Sequence, residues 1–144
     1  MKRNNSGFTL IEILVVIAIM AIMGGLVGLA VLRHPGEAKV TTAKLQIKNF
    51  KQALKLYRME QNVYPSQEQG LQALCVKPTS PPVPERYPED GYLDTRKVPK
   101  DPWNHDYIYL VPGRQNEQYE VISYGADGEE GGTKEAADIS SSDL

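Results

Sequence analysis

The chain has 144 residues, and its 16 basic and 18 acidic side chains give a net charge of −2. This length suits one compact domain, and the weakly acidic balance gives no overall electrostatic footprint for nucleic-acid binding. Cys75 is the single cysteine, so the fold has no internal disulfide and depends on its core or on another stabilising group.

An apolar segment dominates the amino-terminal end of the chain. From Phe8 to Leu32, 25 residues carry one charged side chain, that of Glu12. As a helix, this segment is about 37 Å long at about 1.5 Å per residue, enough to cross a hydrocarbon core of about 30 Å. Lys2 and Arg3 precede the segment, which predicts a cytoplasmic amino terminus and a domain on the opposite side of the membrane.

An acid within such a segment needs an explanation. A carboxylate deep in a bilayer costs about 2.5–3.5 kcal/mol on insertion scales, so Glu12 needs a cationic partner at the same depth. A secretory signal peptide is a poor alternative, because its apolar region usually has about 7–15 residues. A simple membrane anchor explains neither the acid nor the glycine at position 7, directly before Phe8.

The first twelve residues resemble the class III signal of type IV pilins and type II secretion pseudopilins. The resemblance is carried by a short basic leader ending in Gly7, followed by Phe8-Thr9-Leu10-Ile11-Glu12. It implies that a prepilin peptidase cuts between Gly7 and Phe8 and methylates the new amino group of Phe8. It also implies that Glu12 pairs with the Phe8 amino group of a neighbouring subunit, which relieves the desolvation of both charges during assembly.

A second helix is predicted beyond His34-Pro35-Gly36, where proline and glycine favour a kink or a short link. Apolar residues then recur at spacings of three and four, with Ala53 and Leu56 broadening the stripe: Val40, Ala43, Ile47, Phe50, Leu54 and Tyr57. The other face is basic, and we expect it to be solvated rather than to bind a polyanion: Lys39, Lys44, Lys48, Lys51, Lys55 and Arg58.

The remaining residues predict a small sheet beside this helix. A capping-box pattern at Ser66–Gln69 precedes a short helix through 71–74. Seven of the ten prolines lie in Pro78–Pro102, which predicts a loop. Two strands are predicted at 107–111 and 119–123. The fold class is therefore α+β, with a long helix packed on a small antiparallel sheet.

Later stretches are similar to the major pseudopilins of type II secretion: Tyr64-Pro65-Ser66 with Glu68 to Leu74, Asp101-Pro102-Trp103 with Tyr107-Ile108-Tyr109, and Ser123 to Gly128 with Ala137-Asp138-Ile139. The chain departs from the family at Asn104-His105, where a glycine is usual, and in the tail 140–144, which lacks the usual tryptophan. The resemblance implies a type IV pilin-like fold with a cleaved leader 1–7, a transmembrane and assembly helix 8–33 and a periplasmic globular domain 34–144.

The implied function is structural. The subunit would wait in the inner membrane and polymerise into a periplasmic pseudopilus that drives folded proteins across the outer membrane. Its partners would be further copies of itself, minor pseudopilins, the prepilin peptidase and an inner-membrane secretion platform, without nucleic acid. The alternatives are a type IV pilin, a minor pseudopilin and a membrane-anchored periplasmic enzyme.

Three features of the sequence weigh against these alternatives. Adhesive pilins usually carry a disulfide that one cysteine cannot form, and the tip-forming minor pseudopilin typically lacks the acid at Glu12. An enzyme is disfavoured because the sequence contains no Gly-x-Ser-x-Gly elbow, phosphate loop or zinc-ligand spacing.

A metal site is predicted in the C-terminal loop 124–139, which is rich in acids and glycines. The acids of such a loop repel one another and its glycines raise the entropy cost of ordering it, and a hard cation would resolve both problems. The spacing is not that of an EF-hand. The residues alone leave a disordered acidic tail open as an alternative. The resemblance implies calcium, held by side-chain oxygens of Asp127 and Asp138 and backbone carbonyls of Tyr124 and Glu129, with Glu135 as a further candidate.

Overall fold

The computed structural model describes residues 9–31 and 35–144, which fall into two units divided between Pro35 and Gly36. The first unit contains helix α1, Leu10–Val31. Helix α2, Pro35–Gln61, belongs to the second unit except for its first residue. Pro35 is the first residue of α2, a position where the missing N–H of proline costs no helical hydrogen bond. Of the predicted link at His34-Pro35-Gly36, His34 lies outside the described residues, whereas Pro35 and Gly36 belong to α2 rather than to a link.

Helix α2 buries one face, as its apolar spacing predicts. The buried side chains are each 3% exposed or less: Ala43, Ile47, Phe50, Ala53, Leu54 and Tyr57. Leu56 does not belong to this face, because it is 50% exposed. The basic side chains are exposed except that of Lys51, which is partly buried and donates to the Ser141 carbonyl at 2.9 Å. The expectation of a solvated basic face is therefore correct for five of its six residues.

The sheet has three antiparallel strands in the order β1-β2-β3: Ile108–Leu110, Glu120–Ser123 and Ile139–Ser140. Tyr109 pairs with Val121, and Ile122 pairs with Ser140, so β2 is the central strand. The first two strands were predicted, although they are shorter than the sequence pattern indicated. A strand of two residues is too short to show alternation, which is why the sequence did not predict β3.

The long connection between α2 and β1 is an ordered loop with one short helix. The capping box forms: Ser66 Oγ accepts the Gln69 N–H at 3.2 Å, and Gln69 Oε1 accepts the Ser66 N–H at 3.0 Å. It stands ahead of a single 3-10 turn at Leu71–Leu74. Residues 78–102 form turns and bends without helix or strand, as the prolines predict. Their aromatic side chains close over the core, where the Tyr92 ring lies 5.2 Å from that of Tyr57.

Candidate functional site

The predicted assembly acid, Glu12, takes part in a capping box at the start of α1. Thr9 Oγ1 accepts the Glu12 N–H at 3.3 Å, and Glu12 Oε2 accepts the Thr9 N–H at 3.0 Å and the Thr9 hydroxyl at 3.1 Å. These bonds satisfy donors that the first turn of a helix otherwise leaves unpaired. The Thr-x-x-Glu spacing is the sequence signal for this arrangement. The predicted cleavage residues, Gly7 and Phe8, lie outside the described residues.

The side chains of α1 from Leu10 to Met23 are apolar around the whole helix, except for Glu12, and the large ones are 48% exposed or more. A helix that is apolar on all sides is stable only when other apolar groups surround it. Within residues 9–31 and 35–144, no helix is both long enough and apolar enough to cross a membrane. The predicted transmembrane half therefore stays a prediction.

The C-terminal loop, residues 124–139, is folded through hydrogen bonds of its own. Asp127 Oδ1 accepts the Glu129 N–H at 3.2 Å. Asp138 Oδ1 accepts the Gly131 N–H at 2.9 Å, and the Asp138 N–H donates to the Gly131 carbonyl at 3.2 Å. Gly125 has a φ of +66°, and a Cβ there would lie 2.6 Å from the Glu135 carbonyl oxygen, so the turn requires glycine.

The predicted calcium ligands make separate contacts: Asp127 accepts from the Glu129 N–H, and Asp138 accepts from the Gly131 N–H. The side chain of Glu135 leaves the loop and lies against Gly36 in the first turn of α2, where a Cβ would overlap its carboxylate. A negative charge at that end of a helix is favourable. Among the described residues, no group of three or more His, Cys, Asp or Glu side chains is placed to hold a metal. The predicted set needs only the carboxylates of Asp127 and Asp138 with two backbone carbonyls, and such hard oxygen donors suit calcium.

Asp101, from the Asp-Pro-Trp motif, holds one end of this loop in place. Its carboxylate is buried, with Oδ1 accepting the N–H groups of Trp103 at 3.0 Å and His105 at 2.8 Å. Its Oδ2 accepts the Ser123 hydroxyl at 2.6 Å, at the end of β2. His105 Nδ1 lies 3.1 Å from the Gly125 carbonyl oxygen, and the ring packs on Gly128 within the loop.

The unusual dipeptide Asn104-His105 therefore has a structural role. Asn104 has a φ of +73°, a left-handed conformation that glycine and asparagine tolerate best. His105 adds a side-chain contact to the C-terminal loop, and it is partly buried rather than freely solvated.

Glu120 on β2 anchors the other end of the loop. Its carboxylate is 2% exposed and accepts the Arg114 N–H at 2.9 Å, Arg114 Nη2 at 2.9 Å and the Ser140 hydroxyl at 2.7 Å. Burial alone would raise the pKa of Glu120, but the hydrogen bonds from Arg114 and Ser140 and the guanidinium charge outweigh it and lower the pKa to about 2. The Arg114 guanidinium also reaches Glu130 at 3.2 Å and Asp138 at 3.6 Å.

Sequence reasoning missed Arg114, Glu120 and Asp101. Arg114 lies in the predicted strand connection, and Glu120 occupies a strand position where an acid usually faces solvent. Asp101 carried a motif signal, but the motif alone did not show which partners the carboxylate would accept.

Comparisons with known proteins agree on one family. The family model described as type II secretion system (T2SS), protein G matches residues 30–142, and the prokaryotic N-terminal methylation motif matches residues 2–28. Type II secretion system core protein G of Pseudomonas aeruginosa is 48% identical over 138 residues, covering 96% of this chain and 95% of that protein. Core protein G of Vibrio cholerae is 42% identical, covering 95% of this chain and 91% of the relative.

A solved structure gives the same result. The crystal structure of the major pseudopilin from the type 2 secretion system of enterohaemorrhagic Escherichia coli superposes with a TM-score of 0.63 at 36% sequence identity. The match covers 75% of this chain and 90% of that chain. It confirms the predicted α+β, type IV pilin-like fold.

The low pKa of Glu120 predicts an acid-dependent loss of stability. Below about pH 4.5 the unfolded chain binds a proton at Glu120 while the folded chain does not, so this stabilisation falls as the pH drops from about 4.5 towards 2. The full loss is about 3 kcal/mol at about 1.4 kcal/mol per pKa unit. Urea unfolding of the full-length chain, followed by Trp103 fluorescence, measures it. Glu120→Gln should remove this part of the pH dependence.

Glu89→Gln is the matched control, because Glu89 is exposed. It should leave the pH profile of the wild type unchanged. Equal acid sensitivity in Glu120→Gln and the wild type would contradict the assignment to Glu120.

Proposed function

The chain belongs to the family of type II secretion system protein G, and from this membership we propose how its two units serve the pseudopilus. Its function is structural rather than enzymatic: it is a subunit of the pseudopilus. The observation that carries this function is the family match across the globular unit, joined to an N-terminal methylation motif on the apolar segment.

Helix α1 is the proposed assembly element. Before assembly it lies in the inner membrane, with the globular unit in the periplasm, and in the filament it packs against α1 helices of other copies. The apolar side chains exposed around α1 support this proposal, because bilayer and neighbouring helices are the two surroundings that would cover them. The other partners are minor pseudopilins, the prepilin peptidase and the inner-membrane secretion platform. Growth of the filament drives folded proteins across the outer membrane.

Glu12 is the proposed docking residue of α1. Both of its side-chain hydrogen bonds to Thr9 use Oε2, and a carboxylate has about four acceptor sites, so the cap leaves acceptor capacity for a cation. The cap also orients the carboxylate at the first turn of the helix. The amino group of Phe8 on a neighbouring subunit is the proposed cation, and its arrival neutralises Glu12 in apolar surroundings.

Processing is the first test of this function. We expect cleavage between Gly7 and Phe8 and methylation of the Phe8 amine, because the leader and apolar segment match the methylation motif. Mass spectrometry of the membrane-extracted chain measures both. Gly7→Leu should leave the leader attached, since a bulky side chain replaces the smallest residue at the cut. A mature protein that begins beyond residue 33 would contradict the assembly role of α1.

Two substitutions separate the charge of Glu12 from its capping role. Glu12→Gln keeps acceptor capacity for Thr9 but removes the charge, whereas Glu12→Leu removes both. If pairing with the Phe8 amine drives docking, both variants should be cleaved normally and should lose secretion to a similar, severe extent. Secretion assays in cells lacking the wild-type chain measure this. Wild-type secretion by Glu12→Gln would show that the cap, and not the charge, is what assembly requires.

The C-terminal loop is the proposed calcium site, with Asp127, Asp138 and the carbonyls of Tyr124 and Glu129 as ligands. The donor chemistry supports it, because carboxylate and carbonyl oxygens are the hard ligands that calcium takes. Asp127 Oδ1 accepts the Glu129 N–H and Asp138 Oδ1 accepts the Gly131 N–H, so each carboxylate contacts the backbone of the loop. Glu135 is a weaker candidate, since its carboxylate lies against Gly36. Calcium would tie the loop to the sheet and stabilise the folded state by mass action.

Thermal melting tests the calcium site. The full-length chain in mild detergent, followed by Trp103 fluorescence, should melt several degrees higher in saturating calcium than in chelator, as expected for about 2.7 kcal/mol at 100 times the dissociation constant. Asp127→Asn and Asp138→Asn should abolish the rise. Glu129→Gln is the control, because only the Glu129 backbone is a proposed ligand. Identical wild-type curves in calcium and chelator would contradict the site.

A further inference from the structure

One guanidinium faces three carboxylates beside the C-terminal loop. Arg114 contacts Glu120 through Nε and Nη2, at 3.2 and 2.9 Å. Its Nη1 lies 3.2 Å from Glu130 Oε1 and 3.6 Å from Asp138 Oδ2. The fork of the side chain thus joins β2 to the C-terminal loop with one positive charge. Neither the family match nor the proposed calcium site accounts for this arrangement.

The charge of Arg114 is fixed in place. The Glu120 side chain is 3% exposed and is held on its other sides by the Ser140 hydroxyl and the Arg114 N–H. An ionised buried carboxylate requires its partner, because an unpaired charge in that position is strongly destabilising. Separating the guanidinium from Glu120 would leave the buried carboxylate unpaired, so Arg114 stays beside Glu120 and its Nη1 stays close to the loop.

We propose that Arg114 is a built-in cation of the C-terminal loop, which holds Glu130 and Asp138 when no metal is bound and opposes a calcium ion at Asp138. The inference rests on the proposed calcium site, since it concerns one of the proposed ligands. Asp138 is the residue that both cations would share. Its Oδ1 is engaged by the Gly131 N–H, and its Oδ2 faces Arg114.

The charge of Arg114 should stabilise the metal-free loop but weaken calcium binding. Without metal, the guanidinium attracts the loop carboxylates and offsets the repulsion among them, which stabilises the folded loop. The same charge, fixed near Asp138, repels a divalent cation and weakens its binding. An arginine that only supported the loop would behave differently, because its removal would disorder the loop and weaken calcium binding as well.

Arg114→Lys tests the inference most directly. A lysine ammonium preserves the charge beside Glu120, but it is a point charge and lacks the fork that reaches Glu120 and Asp138 together. We expect this variant to melt at a lower temperature than the wild type in chelator. We also expect its calcium dissociation constant to fall about three- to tenfold, in line with about one kcal/mol of relieved repulsion.

A second variant keeps the inference testable if Arg114→Lys does not fold. The double substitution Arg114→Met with Glu120→Gln removes the ion pair between Arg114 and the buried Glu120 as a unit and leaves the net charge unchanged. It should also bind calcium more tightly than the wild type. Arg86→Lys is the matched control, because Arg86 is exposed and lies outside the loop, and it should change neither property.

The experiment is a calcium titration of the full-length chain in mild detergent by calorimetry, with melting in chelator followed by Trp103 fluorescence. Tighter calcium binding by both Arg114 variants, with a lower melting temperature of Arg114→Lys in chelator, supports the inference. Unchanged or weaker binding by the variants, while the wild type binds calcium, overturns the role of Arg114 alone. Absence of calcium binding in the wild type and every variant overturns the calcium site, and the inference falls with it.

Discussion

The C-terminal half of the globular unit depends on the buried carboxylate of Glu120. An acid that is 2% exposed must be paired and hydrogen-bonded, or the fold does not tolerate it. Arg114 can meet this requirement only if the β1–β2 connection folds back onto β2, and Ser140 only if the tail returns beside β2 as β3. One electrostatic requirement therefore sets the path of two separate segments. The C-terminal loop lies between β2 and β3, so its position follows.

The two units differ in how much of their apolar surface is buried. Helix α2 is amphipathic, and the same chain supplies the sheet and loops that cover its apolar side. Helix α1 is apolar around its circumference, and its large side chains from Leu10 to Met23 are exposed. The globular unit therefore buries its own apolar face, and the proposed assembly of α1 would cover the apolar side chains that remain exposed. The cap between Thr9 and Glu12 places the single acid of α1 at the end of the helix.

With one cysteine, the globular unit holds its tail without a disulfide. Ser123 bonds to Asp101 at the start of the C-terminal loop, and Asp138 closes the loop onto Gly131. Glu135 packs at the first turn of α2 against a glycine that leaves room for it. In each contact, a polar side chain of this segment meets a residue that is distant in sequence or lies across a turn. Together they constrain a segment whose acids and glycines would otherwise favour disorder.

The sequence by itself determined the features that local spacing encodes. The apolar run of α1, the stripe of α2, the capping box at Ser66 and the proline-rich loop each depend on residues a few positions apart. Periodicity and backbone chemistry suffice to predict such features. Only the tertiary structure decided that β3 pairs with β2, that the buried Glu120 pairs with Arg114, and that the Glu135 carboxylate lies against the first turn of α2. These contacts join residues that are far apart in sequence, so no local pattern predicts them. They stabilise the fold only after the chain between the two partners has folded.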